Sequence, residues 1–403
     1  MSVDAARLRA VAAAAPVPDT EGLALDQACG RVLAGSVAAA SALPPFDTSA
    51  MDGYAMRLPD LTGAGPWQLT VALQIAAGTT AAHALAPGNA ARILTGAPIP
   101  AGADAVVMQE HVTRSGDRIT LTRRPRPGQN IRRRGEDVAS GAQALPPGVA
   151  LTPPRLALLA GCGLPRVTVR RRVRVAILST GTELAEPGRP LAPGHIHNSN
   201  RVLLRSTLAR LAWTETTDLG ILPDNPHAIR ATIRQAALAH DVIISSGGVS
   251  VGERDHILDV LRAEAAELEV LKIAIRPGKP LTVGRLGATL YFGLPGNPYA
   301  AAITFAQIAR PALRKIAGLT EDPDSWLPGI AGFTYHRRMA RREYVPVTWS
   351  RRDAVGRPVL DRLGQGASAS LSPIAAAMGI AVIPPELATV HPGQPLRVEV
   401  LAE

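Results

Sequence analysis

Between residues 173 and 320, short apolar runs alternate with longer segments whose apolar positions recur every three or four residues. Only a strand–helix repeat satisfies both periods, so this stretch constrains the fold more than any other. VRVAIL and DVIISS read as buried strands, EVLKIAI as a further strand, and LTVGRL with TLYFGL as a hairpin. NRVLLRSTLARL reads as a helix with Asn200 as N-cap and Leu204, Leu208 and Leu211 on one face. In DNPHAIRATIRQAALAH, Asn225 caps, Pro226 takes the first helical position, and Ile229, Ile233 and Ala237 form the apolar stripe. HILDVLRAEAAEL and PYAAAITFAQIA complete the helices. The pattern predicts a doubly wound parallel α/β domain, with helices on both faces and a ligand outside the carboxyl ends of its strands.

The flanking segments follow other periods. ARLRAVAAAA and ALDQACGRVLAGSV read as short helices, the second with Leu25, Cys29, Val32 and Leu33 in a stripe. From 44 to 145 the runs WQLTVALQI, ARILTG, DAVVMQE and RITLTRR are β-like and punctuated by Gly and Pro. PPRLALLAGCG in 146–172 is a helix candidate followed by VTVRRRV, and these return to the N-terminal helices as one discontinuous domain. After 320, EYVPVTWS, RPVLDRL, IAVIPP and QPLRVEVL make a small β domain. A chain of 403 residues exceeds the roughly 250 at which single cores divide, so an α/β multidomain protein is expected.

Lys and Arg number 43 against 33 Asp and Glu, a net charge of +10 that admits nucleic acid, an anionic membrane or an anionic small molecule as partner. Lys272, Lys279 and Lys315 are the only lysines, and two of them fall in KIAIRPGK. A lysine is a compact point charge suited to an oxyanion, although chance placement on a solvated face is the competing reading. The arginine runs 132–134 and 170–172 raise the nucleic-acid reading. With four Trp, five Tyr and four Phe, however, stacking platforms are scarce, which argues against specific nucleic-acid binding.

No uncharged apolar run approaches the roughly 18 residues of a membrane-spanning helix. The first residues carry Asp4 and too brief an apolar part for a secretion signal, so a cytoplasmic protein without membrane contact is expected. Cys29 and Cys162 are too few for a disulfide framework or a multi-thiolate zinc site and read as small buried apolar residues.

Three loops fall at predicted strand ends: Ser179-Thr180-Gly181-Thr182, Ser245-Ser246-Gly247-Gly248 and Pro295-Gly296-Asn297. Small residues admit close backbone approach, and hydroxyl and N–H groups hold oxyanions at a helix N-terminus. Each is equally an ordinary turn. Three in one domain point to an extended anionic ligand that carries phosphate. Glu183, Asp224, Glu253 and Asp255 stand beside these loops. Carboxylates repel phosphate unless a cation lies between them, which suggests magnesium; for Asp224 and Asp255, stabilising a helix start is the alternative. Lys272, Arg276 and Lys279 add positive charge. In the β-rich segment Asp47, Asp52 and Asp104 are either turn formers or site carboxylates beside Phe46, Met51 and Tyr54.

The motifs PPFDTSAMDGYA, TGAPIPAGADAVVMQE, GQNIRRRGEDV, STGTEL, HIHNSN, DVIISSGGVSVGERD, IAIRPGKPLTVG, GLPGNP and GIAVIPP follow one another along nearly the whole chain. In this order they resemble the molybdopterin molybdenumtransferase family, the MoeA type that includes the gephyrin E domain. The resemblance implies four domains: a discontinuous helical and β linker or dimerisation domain (1–43 and 146–172), a β-rich domain (44–145), a molybdopterin-binding α/β domain (173–320) and a C-terminal β-barrel-like domain (321–403).

It further implies a homodimer with its active site between the α/β domain of one subunit and the β-rich domain of the other. The implied reaction inserts molybdate into adenylylated molybdopterin and releases AMP with magnesium. Matching positions place the family's functional carboxylates and threonine on Asp52, Thr95, Asp137, Glu183, Asp224 and Asp255, with Asp52, Glu183, Asp224 and Asp255 as metal ligands. Its basic residues fall on Lys272, Arg276 and Lys279. Asn198 joins the ligand-binding loops, and Ser368 or Ser370 with Arg341 or Arg342 help to hold molybdate. Two positions depart from the family pattern: Arg276 stands where lysine is usual, and Tyr299-Ala300 where Val-Ser often follows LPGNP. A non-catalytic scaffold of the gephyrin kind is the alternative within the resemblance, and the retained carboxylates argue against it.

Overall fold

Six strands form the central sheet, in the order Thr214–Leu222, Val173–Thr180, Val242–Ser246, Thr289–Leu294, Pro280–Leu286, Glu267–Lys272. The computed structural model to which they belong describes residues 1–79, 83–247, 256–264, 267–321, 326–337 and 340–401. Side chains alternate between faces along each strand. Val173, Val175 and Ile177 therefore pack with Leu204, Leu208 and Phe292 on one face, and Ala176 and Leu178 pack with Ile229, Ile233 and Ile257 on the other. Helices Ser199–Ala209 and Pro298–Thr304, the latter continuing through a π turn (Phe305–Ala309) to Arg310–Ile316, cover the first face. Pro226–Ala239 and His256–Ala263 cover the second.

The doubly wound α/β architecture is thus present, with two differences. Only the first four strands are parallel; the hairpin Pro280–Leu286/Thr289–Leu294 reverses the sheet, and Glu267–Lys272 continues antiparallel. The edge strand Thr214–Leu222 is absent from the sequence reading, because a partly solvated edge needs no continuous apolar run.

The segment 25–37 is not the expected helix. After a short 3-10 turn at Leu25–Gln27, Val32 bridges Ala150 and Leu33 bridges Val169. The periodic stripe is real, but Leu33 buries it against Val149, Leu159 and Val169 from a distant part of the chain. Cys162 is buried as expected, whereas Cys29 is exposed on the turn. Thr20–Ala24 pairs antiparallel with Arg166–Arg170, while Val3, Ala6 and Ala10 of helix Val3–Ala12 join the core of the central sheet.

A separate six-stranded sheet is centred on Gly53–Met56, Asn89–Ile93 and Trp67–Ile75. Towards the C-terminus, Arg342–Arg352, Pro358–Arg362, Trp326–Ala331, Pro395–Val400 and Gly379–Ile383 pair in sequence, and the last returns to the first, closing a ring. The two-residue strand Ile275–Arg276, from a loop of the central unit, pairs with the start of Arg342–Arg352. Among the described residues no helix is long and apolar enough to cross a membrane.

Arg171 ties the N-terminal segment to the central sheet: its guanidinium meets both Asp241 carboxylate oxygens at 2.7 and 2.8 Å and Asp19 at 2.8 Å. Burial pushes the Asp241 carboxyl up, but Arg171 and the Arg174 amide outweigh it and hold the group below its ordinary value. Its stabilisation is therefore complete at neutral pH and is lost as pH falls below about 4. Asp241→Asn is expected to lower unfolding stability at pH 7 by about 1–3 kcal/mol and to flatten this acid dependence, as read by urea titrations at several pH values.

Candidate active site

At the carboxyl ends of the parallel strands lies a cavity of about 760 Å³. The topology dictates its position, since the loops after Val173–Thr180, Val242–Ser246 and Thr289–Leu294 all leave the sheet on this side. Arg276, Lys279 and Arg341 line it, and Glu183 is the single acidic residue among the described lining. Three cations against one carboxylate make a site for an anion.

Two of the loops are joined by a side chain behind the cavity, and one of the two is also held from the lining. Asn200 does not cap its helix as expected; the cap is Asn198, whose side-chain oxygen accepts from the Arg201 amide at 3.2 Å. Asn200 instead points inward and donates to the Ser246 hydroxyl at 2.8 Å and the Gly296 carbonyl at 2.7 Å, joining two of the loops. Ser245 is likewise internal, sharing a 2.5 Å hydrogen bond with the Tyr291 hydroxyl, so a ligand-facing role is corrected to a core one. Asn297 donates to the Ser368 hydroxyl at 2.9 Å, fastening the 295–298 loop to the C-terminal segment.

Close contacts and positive φ require glycine at two lining positions: a Cβ on Gly247 (φ +87°) would lie 2.9 Å from the Thr180 carbonyl oxygen, and one on Gly278 (φ +113°) 2.6 Å from the Thr304 methyl. Tyr299 is buried and donates to the Tyr344 carbonyl at 2.7 Å, and burial pushes its phenol far above the ordinary value. Ala300 at the lining brings no hydroxyl.

Of the expected site residues, Glu183, Gly247, Arg276, Lys279, Pro295, Gly296, Asn297, Arg341 and Ser368 line the cavity. Ser370 does not, and Arg342 is taken by Asp4 at 2.6 and 2.8 Å. Thr180 is buried, Thr182 is exposed outside the lining, and Lys272 is exposed on Glu267–Lys272. Asp224 faces His256 at 3.7 Å rather than the cavity. Asp52, Thr95 and Asp137 belong to the segment with the separate sheet: the Thr95 amide and hydroxyl meet Asp52 at 2.7 and 2.8 Å and hold its carboxyl below the usual range. Asp137 pairs with Arg132 at 2.6 Å. Asp47 accepts from the Arg134 amide and Arg133, and Asp104 from the Leu58 amide, so both serve turns. Gly248, Glu253 and Asp255 lie outside the described residues.

No group of three or more His, Cys, Asp or Glu residues gathers among the described residues. Magnesium held mainly by phosphate oxygens needs only one or two carboxylates, a donor set that Glu183 at the cavity fits. Ser179 Oγ, Asn198 Nδ2 and Asn200 Oδ1 are buried without a hydrogen-bond partner among the described residues, which leaves polar capacity around these loops. Gly366 and Ala367 on the lining and, behind Arg276, the buried Glu343 go unmarked in the sequence. No local pattern marks them, since their significance depends on what a separate segment packs against them.

Residues 1–163 match the MoeA N-terminal region (domain I and II), residues 176–315 the probable molybdopterin binding domain, and residues 328–401 the MoeA C-terminal region (domain IV). A molybdopterin molybdenumtransferase of Haemophilus influenzae is 44% identical over 305 residues, 75% of this chain and 74% of that protein. Molybdopterin molybdenumtransferase 2 of Mycobacterium tuberculosis is 38% identical over 391 residues, 93% of each. The crystal structure of the molybdopterin biosynthesis moeA protein from Pyrococcus horikoshii OT3 superposes with a TM-score of 0.84 at 28% identity, covering 99% of both chains.

Asn200→Ala is expected to cost about 2 kcal/mol in urea unfolding, because the Ser246 hydroxyl and Gly296 carbonyl lose their donor. Asn198→Ala, which removes only a cap, is expected to cost about 1 kcal/mol. The reverse ranking would contradict the roles assigned to the two asparagines.

Proposed function

Because the chain belongs to the molybdopterin molybdenumtransferase family of the MoeA type, we propose that its cavity binds molybdate beside adenylylated molybdopterin and joins them. The observation that carries this reading is the convergence of Arg276, Lys279 and Arg341 with the Ser368 segment on one cavity. Molybdate is a tetrahedral dianion. Preorganised cations and hydroxyl donors stabilise it without reorganising at the moment of reaction.

The dithiol sulfurs belong to the substrate and form the two bonds to molybdenum themselves, and one molybdate oxygen leaves as water with the two thiol protons. The protein's work is therefore orientation and charge neutralisation. Lys279 and Arg341 hold the oxyanion, the Ser368 hydroxyl donates to it, and the glycine-bearing loops around Gly247 and Gly296 receive the pterin and its phosphate. Water then cleaves the adenylate phosphoanhydride and AMP leaves. Glu183 would hold magnesium there, and the ion would supply charge neutralisation for that cleavage.

Asp52, Thr95 and Asp137 complete the site from the other subunit of a homodimer, and Asp255 serves it from the molybdopterin-binding part, whereas Asp224, turned to His256, acts outside the cavity. The same reading divides the chain at 43, 145, 172 and 320, places the protein in the cytoplasm, and gives it no nucleic-acid or membrane partner. The arginine runs support this last point. Arg132 and Arg133 pair with Asp137 and Asp47, and Arg171 with Asp19 and Asp241, so much of their charge is already matched.

Purified protein given adenylylated molybdopterin, molybdate and magnesium is expected to release AMP and yield molybdenum cofactor, with AMP release dependent on magnesium. Lys279→Ala and Arg341→Ala are each expected to lower kcat/KM for this reaction about 100-fold. Binding without AMP release above background identifies a scaffold and refutes the transferase reading.

A further inference from the structure

The strand Ile275–Arg276 lies along the wall between the cavity and the closed ring of C-terminal strands, and its register sets Arg276 opposite Glu343. Glu343 is 2% exposed. Its Oε2 accepts from the Tyr335 hydroxyl at 2.6 Å and lies 3.6 Å from an Arg276 terminal nitrogen. Its Oε1 lies 3.4 Å from Arg337 Nε. Burial first, and then Glu343, push the Tyr335 phenol above its ordinary value, so it donates as a neutral hydroxyl.

The two arginines are not equivalent. Arg337 is buried and bonded to the Pro384 and Leu387 carbonyls at 2.6 and 2.7 Å, so it is fixed within the ring. Arg276 is 37% exposed and lines the cavity. A carboxylate this deeply buried demands compensation, and Arg337 with Tyr335 supplies it within the ring. Glu343 is thereby an anchor, held within the ring, beside the half-exposed guanidinium of Arg276. A guanidinium carries five N–H donors in a planar fork, so one edge meets Glu343 while the others stay available to a ligand.

We propose that Glu343 is a positioning residue that holds the Arg276 guanidinium towards the oxyanion of the substrate. The family's usual lysine, a single ammonium, lacks the fork that contacts both groups at once, so the arginine at 276 and its carboxylate anchor act as a unit in this chain. The proposal rests on the reading of the cavity as the molybdate site.

The test measures molybdate affinity of the full-length protein by titration calorimetry, together with KM for molybdate, kcat for AMP release and Tm. Glu343→Gln keeps the shape and removes the charge, and is expected to raise both Kd and KM for molybdate about tenfold while kcat falls by less than about threefold. Arg276→Ala is expected to raise Kd similarly, and the double variant no further, because Glu343 acts only through Arg276. If Glu343→Gln does not fold, Glu343→Asp, which retracts the charge by one methylene, carries the same expectation. Additive losses in the double variant, or a lowered Tm with unchanged Kd, overturn the proposal. Failure of the unsubstituted protein to bind molybdate overturns the reading of the cavity, and this role with it. Normal binding there with unchanged Kd in the Glu343 variant overturns this role alone.

Discussion

The strands Val173–Thr180 and Val242–Ser246 are buried on both faces, and that burial sets the terms for the rest of the structure. A sheet covered by helices on each side presents a ligand with only its strand ends. Parallel order sends the loops after these strands to the same end, so three small-residue turns meet at one crevice. Their convergence is secured by Asn200, whose amide joins Ser246 to Gly296 from within the protein. The side chains that shape the crevice are thus largely hidden from it.

The second organising contact is the pairing of Ile275–Arg276 with the start of Arg342–Arg352. It sews a loop of the central unit to the closed ring of C-terminal strands, and Tyr299 reinforces the seam through the Tyr344 carbonyl. Arg276 and Arg341 come to the same cavity because of this seam, although 65 residues of sequence separate them. The net charge of +10 is a poor guide to such a place. Many arginines are matched by neighbouring acids, and those at 171, 337 and 342 tie separate segments together.

The central elements were legible because their periodicity is strong and their caps are local: Asn225 caps helix Pro226–Ala239 with Pro226 in the first position, and the hairpin of Pro280–Leu286 and Thr289–Leu294 forms where its two runs predict it. The failures share one cause. The stripe Leu25, Val32 and Leu33 fits a helix by spacing, but tertiary pairing with 149–169 overrides it. Asn198 and Asn200 are equally good caps on paper and both are buried; only their partners separate them, the Arg201 amide for Asn198 and Ser246 with Gly296 for Asn200. Lys272 and Lys279 look alike in KIAIRPGK, yet only Lys279 reaches the lining.

By itself the sequence determined the period of most segments, the order of strands and helices through 173–318 apart from the edge strand Thr214–Leu222, the placement of small-residue loops at strand ends, and the run of motifs that carries the family. These are properties of neighbours along the chain, where backbone geometry links spacing directly to structure. Tertiary structure alone decided which polar side chains face the cavity and which brace it, that Arg341 rather than Arg342 lines it, and that Glu343 stands behind Arg276. A polar residue reads the same in sequence whether it meets solvent, ligand or a buried partner. What distinguishes these roles is the partner, which arrives from a distant part of the chain.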